Sequence, residues 1–291
     1  TLETTVVVPD LPPIHTRLGG RAGIAQGGLS VAVESFEANG GASQIRAQGE
    51  VAQSGEVHFE VELAKLAYAD LEQILPEGVP ALDYSGHFEV AGAREDAVFS
   101  GRLSTEVADL EWQGQLNLLD LDPAQMTGTF GFKATEIGRL LGREDVRGRL
   151  AGTGRWSGDG GSAQLTLSDV GGALSINFDL THENEQWGIA GLVGSSGLDL
   201  SRLLVTQPQL EGVLESSGRF SIADLSGDTP VADAELSLSS SRLGEVAIAS
   251  AELVVQANRE SLFVKKLWIN TSVGQVRSNG RIGLASSTAV D

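Results

Sequence analysis

The sequence contains no cysteine, which excludes a disulfide framework, a thiolate metal site and a cysteine nucleophile. Among its 291 residues there is one methionine, and aromatic residues make up only 5%. No apolar run approaches the roughly 18 residues that a membrane-spanning helix needs. The N-terminus has no initiator methionine and no basic segment followed by an apolar one, so it does not resemble a signal peptide. We therefore expect the chain to be an internal piece of a longer protein.

Basic residues are also few: 20 Lys and Arg stand against 39 Asp and Glu, which gives a formal net charge of −19. The arginines are scattered singly along the sequence. Because phosphate groups are bound by clustered Lys and Arg, this balance argues against nucleic acid and anionic membrane surfaces as partners. We interpret the acidic residues as a solvated outer face.

Apolar and polar residues alternate with a period of two in several short runs. Successive side chains of a strand point to opposite faces, so each run predicts a strand with one apolar and one polar face. Together these runs define a predicted apolar lining. Its residues are Val57, Phe59, Val61, Leu63, Leu116, Leu118, Leu165, Leu167, Leu174, Ile176, Phe178, Leu180, Leu236, Leu238, Leu262, Val264, Leu267 and Ile269.

Glycine-rich clusters separate these runs and predict hairpin turns, because glycine adopts the positive φ that tight turns require. The clusters lie at residues 27–28, 39–41, 54–55, 158–161, 171–172 and 194–197. Parallel βαβ units would need long helical crossovers, and the sequence shows none. The pattern therefore predicts an antiparallel meander.

Three short segments share a helical pattern, an acidic residue followed by aliphatic residues at i, i+3 and i+4. They lie at residues 70–75, 136–141 and 199–204. Their aliphatic positions are Leu71, Ile74, Leu75, Ile137, Leu140, Leu141, Leu200, Leu203 and Leu204. Glycine-containing segments of similar pattern follow each of them, at residues 82–92, 146–154 and 210–218.

The three helical turns recur at a long period, since Leu71, Ile137 and Leu200 are 66 and 63 residues apart. A fixed long period with a shared motif indicates a repeat architecture of about four strands and one helical turn per unit. We predict repeats at residues 1–63, 64–133, 134–196 and 197–291, stacked into one continuous sheet. The fold class is all-β: an elongated, curved antiparallel repeat sheet, or β-taco, with short helical turns between repeats.

The apolar face of such a sheet must be covered, and helices of one or two turns are too short to cover four strands. Two arrangements remain open. The sheet can curl around a packed core of its own side chains, or it can form a gutter whose apolar interior holds lipid.

The helical turn at residues 199–204 and its relatives, the glycine-spaced run at 210–218 and the closing stretch at 264–282 resemble the repeats of the AsmA-like (TamB) family. The resemblance covers roughly residues 60–285. It implies a long taco-like β-sheet, anchored in the bacterial inner membrane by a segment absent from this chain, that spans the periplasm. It also implies a hydrophobic groove that binds and conducts phospholipids between the inner and outer membranes. The implied partners are phospholipid acyl chains and, through the full-length protein, an outer-membrane assembly barrel.

Residues that would carry other chemistry are dispersed. His15, His58, His87 and His182 lie far apart and show no metal-ligand spacing. The pair Asp120 and Asp122 precedes a proline and is interpreted as the start of a loop. The glycine-rich residues 191–197 lack the lysine and long helix of a phosphate-binding loop and are interpreted as a hairpin turn. The sequence therefore predicts no catalytic, metal or cofactor site, and a protein that is not an enzyme.

Two other functions stay open. One is a structural or scaffold β-repeat that aids outer-membrane protein assembly or adhesion without lipid transport. The other is a polysaccharide-active β-helix enzyme, which would need acidic residues clustered in space. Whatever the function, exposed sheet edges are natural sites for strand addition by partner proteins, including edge-to-edge self-association of two copies.

Overall fold

The computed structural model describes residues 1–6, 13–25, 28–72, 80–120, 125–143, 145–183, 186–204, 211–225 and 230–283. In this part of the chain 18 strands account for almost all regular structure, and the three helices have four residues each. The chain forms two compact units. Unit 1 comprises Thr1–Arg143 and Arg155–Gly158, and unit 2 comprises Glu144–Gly154 and Asp159–Asp291.

The first nine strands belong to unit 1, and each pairs antiparallel with the next. They are β1 Leu2–Val6, β2 Ile14–Ala25, β3 Gly28–Gly40, β4 Ser43–Val51, β5 Glu56–Leu66, β6 Tyr84–Ala93, β7 Asp96–Ser104, β8 Ala108–Leu116 and β9 Thr127–Ala134. Strand β10, Arg149–Ser157, is divided between the units: its residues up to Gly154 belong to unit 2, and those from Arg155 belong to unit 1.

The remaining strands belong to unit 2, and from β11 to β18 each again pairs antiparallel with the next. They are β11 Gly160–Ser168, β12 Ala173–Glu183, β13 Gln186–Asp199, β14 Gly212–Ala223, β15 Val231–Leu243, β16 Val246–Ala257, β17 Ser261–Thr271 and β18 Gly274–Gly283. The predictions of an all-β fold and of antiparallel strands are confirmed.

Short helices follow β5, β9 and β13, at the positions that the repeated motif predicts. They are α1 Tyr68–Leu71, α2 Ile137–Leu140 and α3 Leu200–Leu203. The described residues hold four strands between α1 and α2 and four between α2 and α3. Of the predicted helical-turn residues, Ile74 and Leu75 lie outside the described part. Leu141 is exposed, and the others are half-buried.

Each helix follows a strand and contacts the hairpin turn at which the strand before that one begins: α1 contacts the β3–β4 turn, and the start of α2 contacts the β7–β8 turn. In α1 the Asp70 carboxylate accepts hydrogen bonds from the Ala42 amide at 2.8 Å and the Ser43 hydroxyl at 2.7 Å. The amide of Thr135, just before α2, donates to the carbonyl of Val107 at 2.8 Å. These contacts attach the helices to the ends of the strands, so the motif closes strand ends and does not cover a sheet face.

Most glycine clusters form turns as predicted; Gly41, with φ of 59°, is in the β3–β4 turn. The predicted turn at residues 194–197 and the predicted hairpin turn at residues 191–197 are wrong, because these residues lie inside β13. Gly197 has φ of 62° and lies where the β13–β14 register shifts between Ser195 and Leu198. Its left-handed backbone produces a bulge within a continuing strand, and a bulge needs the same positive φ as a tight turn.

Aromatic rings of unit 1 lie over glycines on neighbouring strands. A Cβ at Gly101 would overlap the Trp112 ring, and one at Gly114 would come within 2.6 Å of Phe99. Phe99 is buried together with Val90 and Ala97, and Trp112 packs against this cluster. A glycine beneath each ring leaves room for it against the sheet, which gives unit 1 a small core formed by side chains of its own strands.

Candidate functional site

One face of the unit 2 sheet is lined by apolar side chains in rows that run across the strands. Residues directly opposite in an antiparallel ladder share a face. The central row consists of Leu165, Ile176, Val193, Gly218, Leu236, Leu253 and Leu267. We call the face that carries this row the unit 2 apolar face.

The rows on either side of the central row are also apolar. One contains Ala163, Phe178, Gly191, Phe220, Ala234, Val255 and Val264, and the other contains Leu167, Leu174, Ser195, Ser216, Leu238, Ala251 and Ile269. A fourth row contains Leu180, Ile189, Ile222, Ala232, Ala257 and Leu262. All of the predicted lining residues that fall in unit 2 therefore lie on this one face.

The two serines on the unit 2 apolar face have their hydroxyl groups paired with each other. Ser195 Oγ lies 2.7 Å from Ser216 Oγ and donates to the carbonyl of Leu214 at 3.1 Å. Paired hydroxyls do not need a further polar partner, so they leave the surrounding surface apolar.

The aliphatic side chains of the central row are half-buried. They cover one another across the strands. The only described helix of unit 2, α3, buries none of its residues and so does not cover this face. In the described part of this unit no further helix or sheet is present to cover the face. The face is thus more exposed than a packed protein interior and more apolar than an ordinary surface.

The unit 1 apolar face carries the remaining predicted lining residues. Val57, Phe59, Val61 and Leu63 alternate along β5, and the ladder places Leu116 in the row of Val57. Leu118 follows β8 and packs against the aromatic cluster. Val57 is buried, whereas Phe59 is 38% exposed.

Part of the unit 1 apolar face is filled by its own aromatic side chains. The Trp156 ring lies 6.1 Å from that of Phe99 and 6.4 Å from that of Phe130. The predicted lining in β5 therefore lies beside a packed aromatic cluster, whereas the unit 2 apolar face is mainly aliphatic.

Several lining residues were missed by the sequence prediction, among them Val193, Leu253, Phe99 and Trp156. In β13 the apolar face carries Ile189, then Gly191, Val193 and Ser195, so small residues interrupt the apolar alternation. A pattern that accepts glycine and serine as inward residues would have identified this strand.

The opposite face of unit 1 carries a row of alternating charge across β1 to β8. Its members are Glu3, Arg17, Glu37, Arg46, Glu62, His87, Arg102 and Glu111. We call this the charge row. In it Arg46 lies 3.9 Å from Glu37 and 3.7 Å from Glu62. Opposite charges on facing strands stabilise their pairing, so the row favours the observed register.

Ion pairs on the polar faces shift the pKa of two carboxyl groups. The Ser104 hydroxyl at 2.6 Å and the Arg102 guanidinium at 2.8 Å lower the pKa of Asp109 below its usual value. In unit 2, Arg219 donates two hydrogen bonds to Glu235, at 2.8 and 2.9 Å, and lowers its pKa. These charges are exposed, which fits a solvated face opposite the apolar one.

The histidines are distributed over different strands. Nδ1 of His58 lies 3.7 Å from a Glu89 oxygen, and Nδ1 of His87 lies 3.6 Å from a Glu60 oxygen. The His182 ring stacks on Trp187 with centroids 4.5 Å apart. Among the described residues no group of three or more His, Asp or Glu is placed to hold a metal ion. Asp120 is described, but Asp122 lies outside the described residues.

Comparisons with protein-family models, with curated proteins and with solved structures found no match. In the described part of the chain, the helices fall far short of the length and apolarity required to cross a membrane.

Proposed function

We propose that the unit 2 apolar face binds lipid acyl chains and that the β5 region of the unit 1 apolar face does so as well, each as a site of its own. The proposal rests on one observation above all: rows of Leu, Ile and Val run across β11 to β17, and all of these side chains except the buried Leu167 are only half-buried. An acyl chain has no polar atoms to satisfy and can bend along such rows. Each methylene that leaves water contributes about 0.8 kcal/mol, so several contacts give useful affinity.

The resemblance of the repeats to AsmA-like (TamB) proteins supports a more specific form of this proposal. In that form the chain is part of a periplasmic protein anchored in the inner membrane, and it conducts phospholipids toward the outer membrane without being an enzyme. An outer-membrane assembly barrel would be a partner of the full-length protein. The features that carry this resemblance are the helical turn at residues 199–204 and its relatives, the glycine-spaced run at 210–218 and the closing stretch at 264–282.

The test is lipid capture by matched variants. The chain is expressed in a bacterium, purified, extracted with organic solvent and analysed by mass spectrometry for phospholipid. Ile176→Asp and Leu236→Asp place a charge on the apolar face, where it disfavours acyl chains. Asn177→Asp and Ser237→Asp place the same charge on the polar face of the same strands.

We expect phospholipid with the wild-type chain and with both polar-face variants, and at least a tenfold loss with the apolar-face variants. Far-UV circular dichroism checks that all four variants keep the sheet. Lipid-free wild-type protein, or equal lipid in the two pairs of variants, would contradict the proposal.

A structural β-repeat is the second candidate, and the aromatic cluster of unit 1 favours it. Phe99, Trp112 and Trp156 pack on the apolar face of their own sheet, as in a self-contained core. A scaffold role predicts that the purified chain carries no lipid and that apolar-face charges act only by lowering its stability.

A further inference from the structure

The last two strands of unit 2 bring together positive charges that are separated in the sequence. Lys265 and Lys266 of β17 and Arg277 and Arg281 of β18 lie on the polar face of the sheet. We call these four residues the β17–β18 basic patch. The arginines in the sequence are scattered, but the antiparallel pairing of these strands places two of them beside two lysines.

A bulge in β17 puts both lysines on the same face. In a regular strand two consecutive side chains would point to opposite faces. Here the register with β18 shifts between Val264 and Leu267, so β17 has one extra residue at this point. Lys265 Nζ lies 3.1 Å from Asp233 and Lys266 forms an ion pair with Glu252, and both acids belong to the polar face.

The basic patch borders an open concavity of about 750 Å³, a size in the range typical of small-molecule sites. Its lining includes Glu252, Lys265, Lys266, Trp268, Arg277 and Asn279. Trp268 and Arg277 lie directly opposite each other in the ladder. Lys265 and Lys266 are already paired with acids, whereas Arg277 has no ion pair within the described part of the chain.

Trp268 lies beside the cations of the patch and supplies a spectroscopic reporter. Its Nε1 is buried and has no hydrogen-bond acceptor among the described residues. Tryptophan Nε1–H is a donor only, and buried donors are normally paired. Nε1 is shielded from solvent, so the ring reports on the surroundings of the patch without itself contacting a ligand.

We propose that this concavity binds the phosphoryl group of a small phosphorylated compound or of a lipid headgroup. A phosphoryl group offers three terminal oxygens, and the exposed Arg277 guanidinium can donate to two of them. The two lysines add charge from one side. The cations of the site lie on the polar face, and the lining also includes Leu267, which belongs to the central row of the unit 2 apolar face.

The test follows the indole N–H signals of ¹⁵N-labelled protein by NMR during a titration with inorganic phosphate at constant ionic strength. The chain has four tryptophans, and Trp268→Phe identifies the Trp268 signal by its loss. We expect a saturable shift of this signal. Arg277→Gln should weaken binding at least tenfold, whereas Arg219→Gln, a matched change on the same face in β14, should leave it unchanged.

Vesicles then distinguish the two sources of the phosphoryl group. Co-sedimentation with phosphatidic acid vesicles but not with phosphatidylcholine vesicles, lost in Arg277→Gln, assigns a lipid headgroup. A phosphate-induced Trp268 shift without co-sedimentation assigns a soluble phosphorylated compound. An equal shift with chloride alone, or unchanged phosphate affinity in a folded Arg277→Gln variant, would overturn the site.

Discussion

The backbone amide of Asp199 donates a hydrogen bond of 2.9 Å to the carbonyl of Val170 in the β11–β12 turn. In unit 1, Thr135 donates in the same way to Val107 of the β7–β8 turn. Val107 and Val170 are 63 residues apart, which equals the spacing of Ile137 and Leu200. The repeated sequence motif therefore corresponds to a repeated junction between a helix and a hairpin turn.

Val170→Ala should destabilise unit 2 by about 2 kcal/mol, because Val170 is fully buried and the change leaves a cavity at the junction. Val193→Ala is the matched control, since Val193 is half-buried on the apolar face and should cost less than about 1 kcal/mol. Urea denaturation followed by circular dichroism measures both. Equal losses in the two variants would show that the junction is no better packed than the apolar face.

The sequence predicted the helix positions because the motif is local: three aliphatic residues within one turn define a helical face regardless of the rest of the chain. It assigned the apolar residues of each run to one face for a similar reason, since alternation within one strand separates its two faces. The strand interior at residues 194–197 was misread because glycine serves bulges and turns through the same backbone conformation.

The basic patch and the aromatic cluster were not predicted, because both depend on which strands pair. Arg277 lies opposite Trp268 only in the observed β17–β18 register, and Lys265 shares a face with Lys266 only through a bulge. Trp156 packs on Phe99 across a long stretch of sequence. Such contacts arise from register and twist, which local periodicity does not encode.

Gly101→Ala should destabilise unit 1 by about 1 to 3 kcal/mol, because the new methyl group would overlap the Trp112 ring and disturb the aromatic cluster. Gly131→Ala in β9 is the control, since nothing lies within 4 Å of a Cβ there. Thermal unfolding of the two variants checks the difference. A Gly101→Ala protein as stable as Gly131→Ala would mean that Trp112 can move away without loss of packing.

Arg46→Glu should destabilise unit 1 by about 1 kcal/mol at low salt, because it would place three acidic side chains next to one another in the charge row. All of these groups are exposed, and at 1 M salt the screening length falls to about 3 Å. The loss should therefore shrink markedly in 1 M NaCl. Arg46→Gln removes the attraction without adding repulsion and should cost less; a salt-independent loss would contradict the electrostatic explanation.

Asp199→Asn should destabilise unit 2 at neutral pH but not in acid. The Asp199 carboxylate accepts hydrogen bonds from the hydroxyl and the amide of Ser201, at 2.7 and 3.0 Å, and these lower its pKa below the ordinary value of 3.8. A lowered folded-state pKa stabilises the fold above the unfolded-state pKa, and this contribution is lost as pH falls through the folded value. The difference in unfolding free energy between wild type and Asp199→Asn should thus be constant from pH 5 to 7 and decline below about pH 4.

Asp199→Ala, which also removes the cap of α3, should lose about 1 kcal/mol at pH 7. A difference that stays constant down to pH 2 would show that the charge of Asp199 contributes nothing to α3.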